Sequence, residues 1–322
     1  MHLLQSPQWG QFKSGFGWSA EIIRTDTVDI PVQILYRRLA TGFQIAYIPK
    51  GPDIAWDDQE LVRSILLELK AIAARPSVLF LKIEPDVADN PNLTRQFIQA
   101  GFRPGKPVQP PNSIIIDLCG SEDEVLARMK QKTRYNIRLA VRKGVAVRQG
   151  AADDVPIFYE LNQVTEGRND FAIHSLAYYQ SAFEHFAPER CALLLAEFQG
   201  QPLAGVMIFA WQKRAYYLYG ASNNRHRNLM PTYLLQWQAI RWARSNGCQT
   251  YDMWGIPDAP EETLEAEFTH RSDGLWGVYR HKRGYGGQVM RSIGAFDHVA
   301  SGQIHKQVLY AALAKYLERR ST

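Results

Sequence analysis

The chain has 322 residues, 46% hydrophobic and 21% charged, with a net charge of +5 and a sequence pI near 9.0. These are values of a globular protein with two ordinary domains or one large one. No run of 18 apolar residues occurs, which excludes a hydropathy-defined spanning helix, and the positive balance favours an anionic partner such as a nucleic acid, a nucleotide sugar or a membrane surface.

The opening "MHLLQSPQWGQFKSGFGW" has no charged leader before an apolar core, so a secretory signal is not expected. Cys119, Cys191 and Cys248 are far apart and show no CxxC or His-paired spacing. They are expected to be buried thiols in a reducing cytosol, not metal ligands or disulfide partners.

In chain order, "AEIIRT" and "VQILYRR" read as strands joined by a turn at Asp29 to Pro31, and "FQIAYIP" as a third strand. "DDQELVRSILLELKAIAA" is an amphipathic helix whose acidic first turn suits the helix dipole. "VLFLKIEP" is a buried strand, "NLTRQFIQAGF" a short helix stopped by Gly101, and "NSIIIDL" a further strand after the proline-rich "RPGKPVQPP", read as a stiff loop. After the helical "DVPIFYELNQVTEGR", the strands "ALLLAEFQG" and "PLAGVMIFAW" form a hairpin around Gln199 and Gly200. "AYYLYGAS" is a third strand and "PTYLLQWQAIRWARSN" a helix with Pro231 at its first position and Gly247 at its end. "QTYDMWGI" is the strand that follows.

Hairpin, third strand, helix, strand therefore occurs twice, which predicts a duplicated α/β unit. The order is similar to the GNAT acyltransferase fold, a similarity of architecture that does not by itself fix function.

Residues 128–148, "RMKQKTRYNIRLAVRKGVAVR", carry eight Lys or Arg and no acid. Ser121 and Glu124 form a capping box for a helix start. Leu126, Met129, Thr133, Ile137, Ala140 and Val141 fall at core-facing helical spacing, and Lys130, Arg134, Arg138 and Arg142 repeat every four residues beside them. Such a row is expected to track phosphates, since one-sided charge in an ordered helix costs repulsion energy. A second polar stretch, "YLYGASNNRHRNLMPTYLLQW", runs from strand through a loop bearing Arg225 and Arg227 into a helix N-terminus, a common place to hold an anion.

Six blocks, "SPQWGQFKSGFGW", "YIPKGP", "MKQKTRYNIRLAVRKGV", "YGASNNRHRNLMPTYLLQW", "YDMWGIPD" and "GVYRHKRGYGG", in this order from Ser6 to Gly287, resemble the FemABX aminoacyltransferases. The resemblance implies two GNAT-like subdomains in one α/β chain: residues 1–121 with 294–322 on the acceptor side, and 122–293 on the donor side. It implies transfer of an amino acid from aminoacyl-tRNA to an amine of the peptidoglycan stem peptide, on a lipid-linked or UDP-linked muropeptide. No sustained heptads are present, so the chain resembles the members without a coiled-coil arm. The location expected is cytoplasmic, extending to peripheral contact with the inner face of the membrane. The loop after "YLYGAS" is bulky and basic where a CoA user needs glycines for close backbone approach, in keeping with an RNA ester as donor.

Aminolysis of an ester needs charge stabilisation at the oxyanion and a proton path, so no metal or cofactor is expected. By resemblance, Lys282 contacts the tRNA end and stabilises developing negative charge. His281 stands where the family has an aromatic residue for stacking on a base. Lys13 falls at the position of a lysine that meets a phosphate of the acceptor. Tyr178 and Tyr219 match tyrosines lining the acceptor channel, and His174 stands at an arginine position whose phosphate contact nearby Arg168 could take over. Arg225 and Arg227 are expected at the mouth of the site. Glu84 matches a carboxylate near the substrate that could relay a proton, against the plainer reading of a strand-end salt bridge. Asp252, an acid inside a buried strand, requires a partner. Two other readings stay open: another acyltransferase of this fold, using aminoacyl-tRNA on proteins or acyl-CoA on an amine, and a non-catalytic RNA-binding protein.

Overall fold

The computed structural model describes residues 1–169 and 173–319, with only the backbone described at 167–169 and 317–319. The chain divides into two units, Met1–Pro111 with Arg291–Thr322, and Asn112–Met290.

The first unit begins with α1 (Pro7–Ser14), started by Ser6, whose hydroxyl accepts from Trp9 N, and by a proline at the first position. Strands β1 (Ser19–Arg24), β2 (Pro31–Arg38) and β3 (Gln44–Pro49) form an antiparallel meander. Helix α2 (Gln59–Ala74) crosses to β4 (Val78–Glu84), which lies parallel to β3. Asp58 caps α2 by accepting from Leu61 N at 3.0 Å. Val62, Ile65, Leu66, Leu69, Ile72 and Ala73 recur on one face of α2 and are fully buried against alternating residues of β2, β3 and β4. After α3 (Pro91–Gln99), the short strand β5 (Arg103–Gly105) pairs with β13 (Ala295–His298) from the far end of the chain, and β13 also pairs with β4. Helix α11 (Ile304–Arg319) covers Leu79, Phe80 and Val299 with Tyr310. The stretch expected as a loop from Arg103 thus starts as an edge strand.

The second unit holds a seven-stranded sheet. Its elements are β6 (Asn112–Asp117), α4 (Glu122–Arg128), α5 (Gln131–Arg142), β7 (Ala146–Gly150), α6 (Val155–Asn169) and α7 (Leu176–Phe186). Then follow β8 (Cys191–Phe198), β9 (Gln201–Trp211), β10 (Arg214–Ser222), α8 (Pro231–Ser245), β11 (Thr250–Gly255), α9 (Glu261–Glu267), α10 (Trp276–Lys282) and β12 (Gln288–Arg291). The strand order is β12-β6-β11-β10-β9-β8-β7. The expected hairpin is present, with positive φ at both Gln199 and Gly200, as are the third strand, the helix begun at Pro231 and the parallel fourth strand.

Both units therefore carry the same core order. In each, a strand from elsewhere in the chain lies antiparallel to the fourth strand: β13 against β4, β6 against β11. This corrects the boundary expected at residue 121. Strand β6 belongs to the second sheet because its ladder partner is β11, a pairing far apart in sequence that local pattern does not reveal.

The basic segment is two helices. The capping box at Ser121 and Glu124 starts α4, but the chain turns extended at Met129 and restarts at Lys130. Thr133, Ile137 and Ala140 face the core as expected, whereas Val141 is exposed, one position past the buried face. Cys191 and Cys248 are buried, but Cys119 is exposed, because it sits in the turn between β6 and α4, where its N–H donates to Asp117. Among the described residues the longest helices have 16 residues, so no coiled-coil arm is built, and no helix is long and apolar enough to cross a membrane.

Candidate active site

The two sheets differ at the far ends of their parallel strand pairs. In the first unit the parallel pairing of β3 and β4 persists to their ends, Pro49↔Glu84. In the second, β10 and β11 pair only from Arg214↔Thr250 to Tyr216↔Asp252. Past that point β10 shifts register against β9 between Tyr217 and Tyr219, and β11 shifts against β6 between Asp252 and Gly255. Each shift bends its strand, and the pair of shifts separates the parallel neighbours, whose backbone groups then need other partners.

Lys282, the last residue of α10, stands where these strands diverge. It is 5% exposed, and its Nζ donates to Gly255 O at 2.8 Å and Trp254 O at 3.3 Å. From the other strand the Tyr217 ring lies under the ammonium, its centroid 5.2 Å away. Gly220 allows this, since a β-carbon there would lie 2.1 Å from Tyr217 Oη. Burial pushes the Lys282 ammonium down to about 7, with the Asp252 charge opposing the shift. An ammonium has three N–H groups, so two carbonyl bonds leave one to offer. A lysine that shares its proton near neutral pH beside backbone carbonyls can carry charge or pass a proton during acyl transfer.

His281 packs edge-on against Tyr233 and Tyr285 and hydrogen-bonds Tyr285 Oη through Nε2. Burial first, and then Lys282, hold its imidazole down to about 4, so it is neutral at pH 7. The segment after α10 docks on the break between α4 and α5. Lys130 N donates to Gly284 O at 2.9 Å, and a β-carbon on Gly286, which has φ +79°, would lie 2.4 Å from Arg128 O. Arg283 and Tyr279 both donate to Glu265, whose carboxyl is held down to about 2, chiefly by Arg283.

A second cluster joins three expected residues. Tyr178 Oη and Tyr219 Oη are 3.1 Å apart, and the exposed His174 stacks on Tyr178 at 3.7 Å and 15°. Tyr219 also packs edge-on against Tyr179 and Phe209. Burial raises Tyr178 and Tyr179 to about 12 and lifts Tyr219 well above its ordinary value, so all stay protonated. The side chain of Arg168 lies outside the described residues. Arg225 and Arg227 are exposed on the loop before α8, which bends through left-handed His226 and Met230. Met230 caps α8 without a side-chain bond, an N-terminus suited to an anion.

The four-residue row of cations does not act as one surface. Arg134 donates to Ala127 O and Met129 O, closing the end of α4, and Lys130 lies 3.9 Å from Glu265. Arg138 and Arg142 remain exposed on α5, Arg142 over the Tyr135 ring. The break after Met129 turns Arg134 to closing α4, while Lys130 stays half-exposed beside Glu265.

In the first unit, Lys13 lies over the Trp18 ring, Trp18 packs against Tyr47, and Tyr47 Oη donates to Glu84. Burial and Arg37 lower Lys13 to about 8. Glu84 is buried at the end of β4. Its carboxylate accepts from Tyr47 Oη, Val108 N and Gln109 N, tying the proline-rich loop to β4, and burial raises its pKa. Asp252 has its partner in Ser113 Oγ and also accepts from Trp254 N at 2.8 Å.

Sequence reading did not reach Ser113, Tyr217, Gln236 or Trp254. Gln236 accepts from Tyr251 Oη at 2.9 Å inside the core. The strand bulges bring Tyr217 and Trp254 to Lys282, and no local pattern signals either. The exception is Gly220, whose place after "YLY" marks a close approach.

Two units of this topology, each with a parallel strand pair flanked by an antiparallel meander, place the chain in the GNAT-like fold class. The FemAB family model matches residues 1–99, 92–201 and 197–315. The chain belongs to the FemAB family and is an aminoacyltransferase. It is similar to the lipid II:glycine glycyltransferase of Staphylococcus aureus (strain USA300), 22% identical over 387 aligned positions that cover 95% of this chain and 90% of the relative. The enzyme of that name from Staphylococcus haemolyticus (strain JCSC1435) is 21% identical over the same shares. Among solved structures, FemX superposes with a TM-score of 0.83 at 20% identity, covering 97% of this chain and 94% of FemX. L-PGS from Bacillus licheniformis superposes at 0.55 and 10% identity, covering 96% and 97%.

Proposed function

We propose that this protein moves an amino acid from aminoacyl-tRNA to the stem-peptide amine of a peptidoglycan precursor, building an interpeptide bridge. The observation that carries the reading is the Lys282 ammonium, buried where β10 and β11 diverge. Attack of a neutral amine on the ester carbonyl forms a tetrahedral oxyanion, and collapse releases the ribose oxygen. Lys282 meets the developing negative charge in a site where water does not screen it. His281 and Tyr233 offer ring surface beside it for the terminal base, and exposed Arg138 and Arg142 meet tRNA phosphates.

Lys13 receives a phosphate of the acceptor, while Tyr178, Tyr219, His174, Arg225 and Arg227 line the path of the substrates. Glu84 we assign to holding the proline-rich loop, because three donors already occupy its oxygens. The names of the relatives favour a lipid-linked acceptor and glycine, so the enzyme would work at the inner face of the membrane.

The test is a transfer assay with a pool of charged tRNAs and, in parallel, a soluble nucleotide-linked muropeptide and a lipid-linked one, with product mass read directly. A gain of one small amino acid supports the reading and identifies donor and acceptor. No gain on either acceptor, with tRNA still bound, overturns it.

A further inference from the structure

We propose that Asp252 and Ser113 are positioning residues for Lys282: together they hold the β11 bulge that turns two backbone carbonyls onto its ammonium. The inference rests on the reading of Lys282 as a group that acts in transfer.

Between Asp252↔Ile115 and Gly255↔Ser113, β11 advances three residues while β6 advances two, so one extra residue is accommodated. Trp254 takes the strain, with φ +60°. Left-handed backbone at a bulky aromatic is costly and persists only where its surroundings impose it. Asp252 imposes it: its Oδ1 accepts the Trp254 N–H at 2.8 Å, two residues on, and Ser113 Oγ donates to the same oxygen from β6. The bulge so held presents Trp254 O and Gly255 O to Lys282 Nζ. Without it, a regular strand would alternate these carbonyls to opposite edges, and one of the two bonds would be lost.

The arrangement is also electrostatic. Around Lys282 the titratable neighbours are Asp252 on β11, Tyr217 on β10 and His281 on its own helix, with Tyr251 and Tyr285 beside Tyr217. Burial keeps the tyrosines protonated and His281 neutral, so Asp252 is the carboxylate that favours a charged Lys282.

The experiment follows the side-chain carbon resonances of Lys282 in 13C-lysine-labelled full-length protein as pH is varied, with Lys282→Met to assign the signal. Asp252→Asn keeps a carbonyl oxygen for Trp254 N but removes the charge. Ser113→Ala removes the supporting donor and guards against a misfolded aspartate variant. The expected result is a Lys282 midpoint lower by about one pH unit in Asp252→Asn, a smaller drop in Ser113→Ala, and kcat reduced up to about a hundredfold with KM for both substrates nearly unchanged. An unmoved midpoint in both folded variants overturns the positioning role. A moved midpoint with transfer unaltered, in these variants and in Lys282→Met, leaves the bulge as described but removes Lys282 from the reaction.

Discussion

Lys282 Nζ lies 2.8 Å from the carbonyl oxygen of Gly255, a residue at the end of a strand that has already left its parallel neighbour. The side chain thus supplies donors where the ladder no longer does. Replacing it with Met removes a buried ammonium while keeping length. Transfer is expected to fall to background, while at pH 6 relief from burying an ammonium is offset by the loss of the donor to Gly255 O and Trp254 O, so the thermal midpoint changes little. The sign with pH follows from the lowered value. Between about 7 and the ordinary lysine range the unfolded chain holds a proton the folded one has released, so wild-type stability gains as pH rises through that window. Denaturant midpoints of wild type and Lys282→Met from pH 6 to 10 check this. Parallel curves would refute it.

Gly286→Ala places a methyl 2.4 Å from Arg128 O at a positive φ, with backbone on both sides of the clash. A loss of roughly 2–3 kcal/mol is expected in urea unfolding, combining overpacking with left-handed strain. Gly17→Ala, with φ +77° and nothing within 4 Å, is the control, at about 1 kcal/mol.

Glu265 is held down to about 2 by Arg283, Tyr279 and Lys130. A depressed carboxyl contributes stability that is present above its unfolded value and lost as pH falls through the folded one. Wild type should therefore lose stability between about pH 4 and 2 more steeply than Glu265→Gln. Equal acid slopes in the two proteins would show that the cluster is not coupled to folding.

Lys13, lowered to about 8, carries its charge at neutral pH and loses it just above. Under the proposed function, affinity for the anionic acceptor should weaken as pH rises through 8, and Lys13→Met should weaken it at pH 7 and abolish that dependence. Acceptor titrations by calorimetry at pH 6.5 and 9 read both effects.

Glu84, raised by burial, binds its proton more readily folded than unfolded, so its contribution to stability shrinks as pH rises from the ordinary carboxylate range through the folded value. Glu84→Gln turns its NH2 toward Val108 N in one orientation and toward Gln109 N in the other, and a loss of about 1–3 kcal/mol is expected. If transfer falls far more than stability does, Glu84 has a chemical role after all.

Much of this molecule was legible from its residues. The apolar repeat Val62, Ile65, Leu66, Leu69 marks α2, Pro231 marks the start of α8, and the doubled strand order marks two similar units, because period, caps and turn residues act over a few positions. Lys282, Tyr178 and Tyr219 are singled out only by the resemblance that short blocks carry, and their roles belong to the proposed function. What only the tertiary structure decided depends on partners distant in sequence. Strand β6 joins the second sheet because β11 offers the ladder, and Arg134 turns inward because α4 ends at Met129. The bulge of β11 is held by Ser113 reaching Asp252 across 139 positions of chain. No window of sequence contains that hydrogen bond, and it determines where the Lys282 ammonium stands.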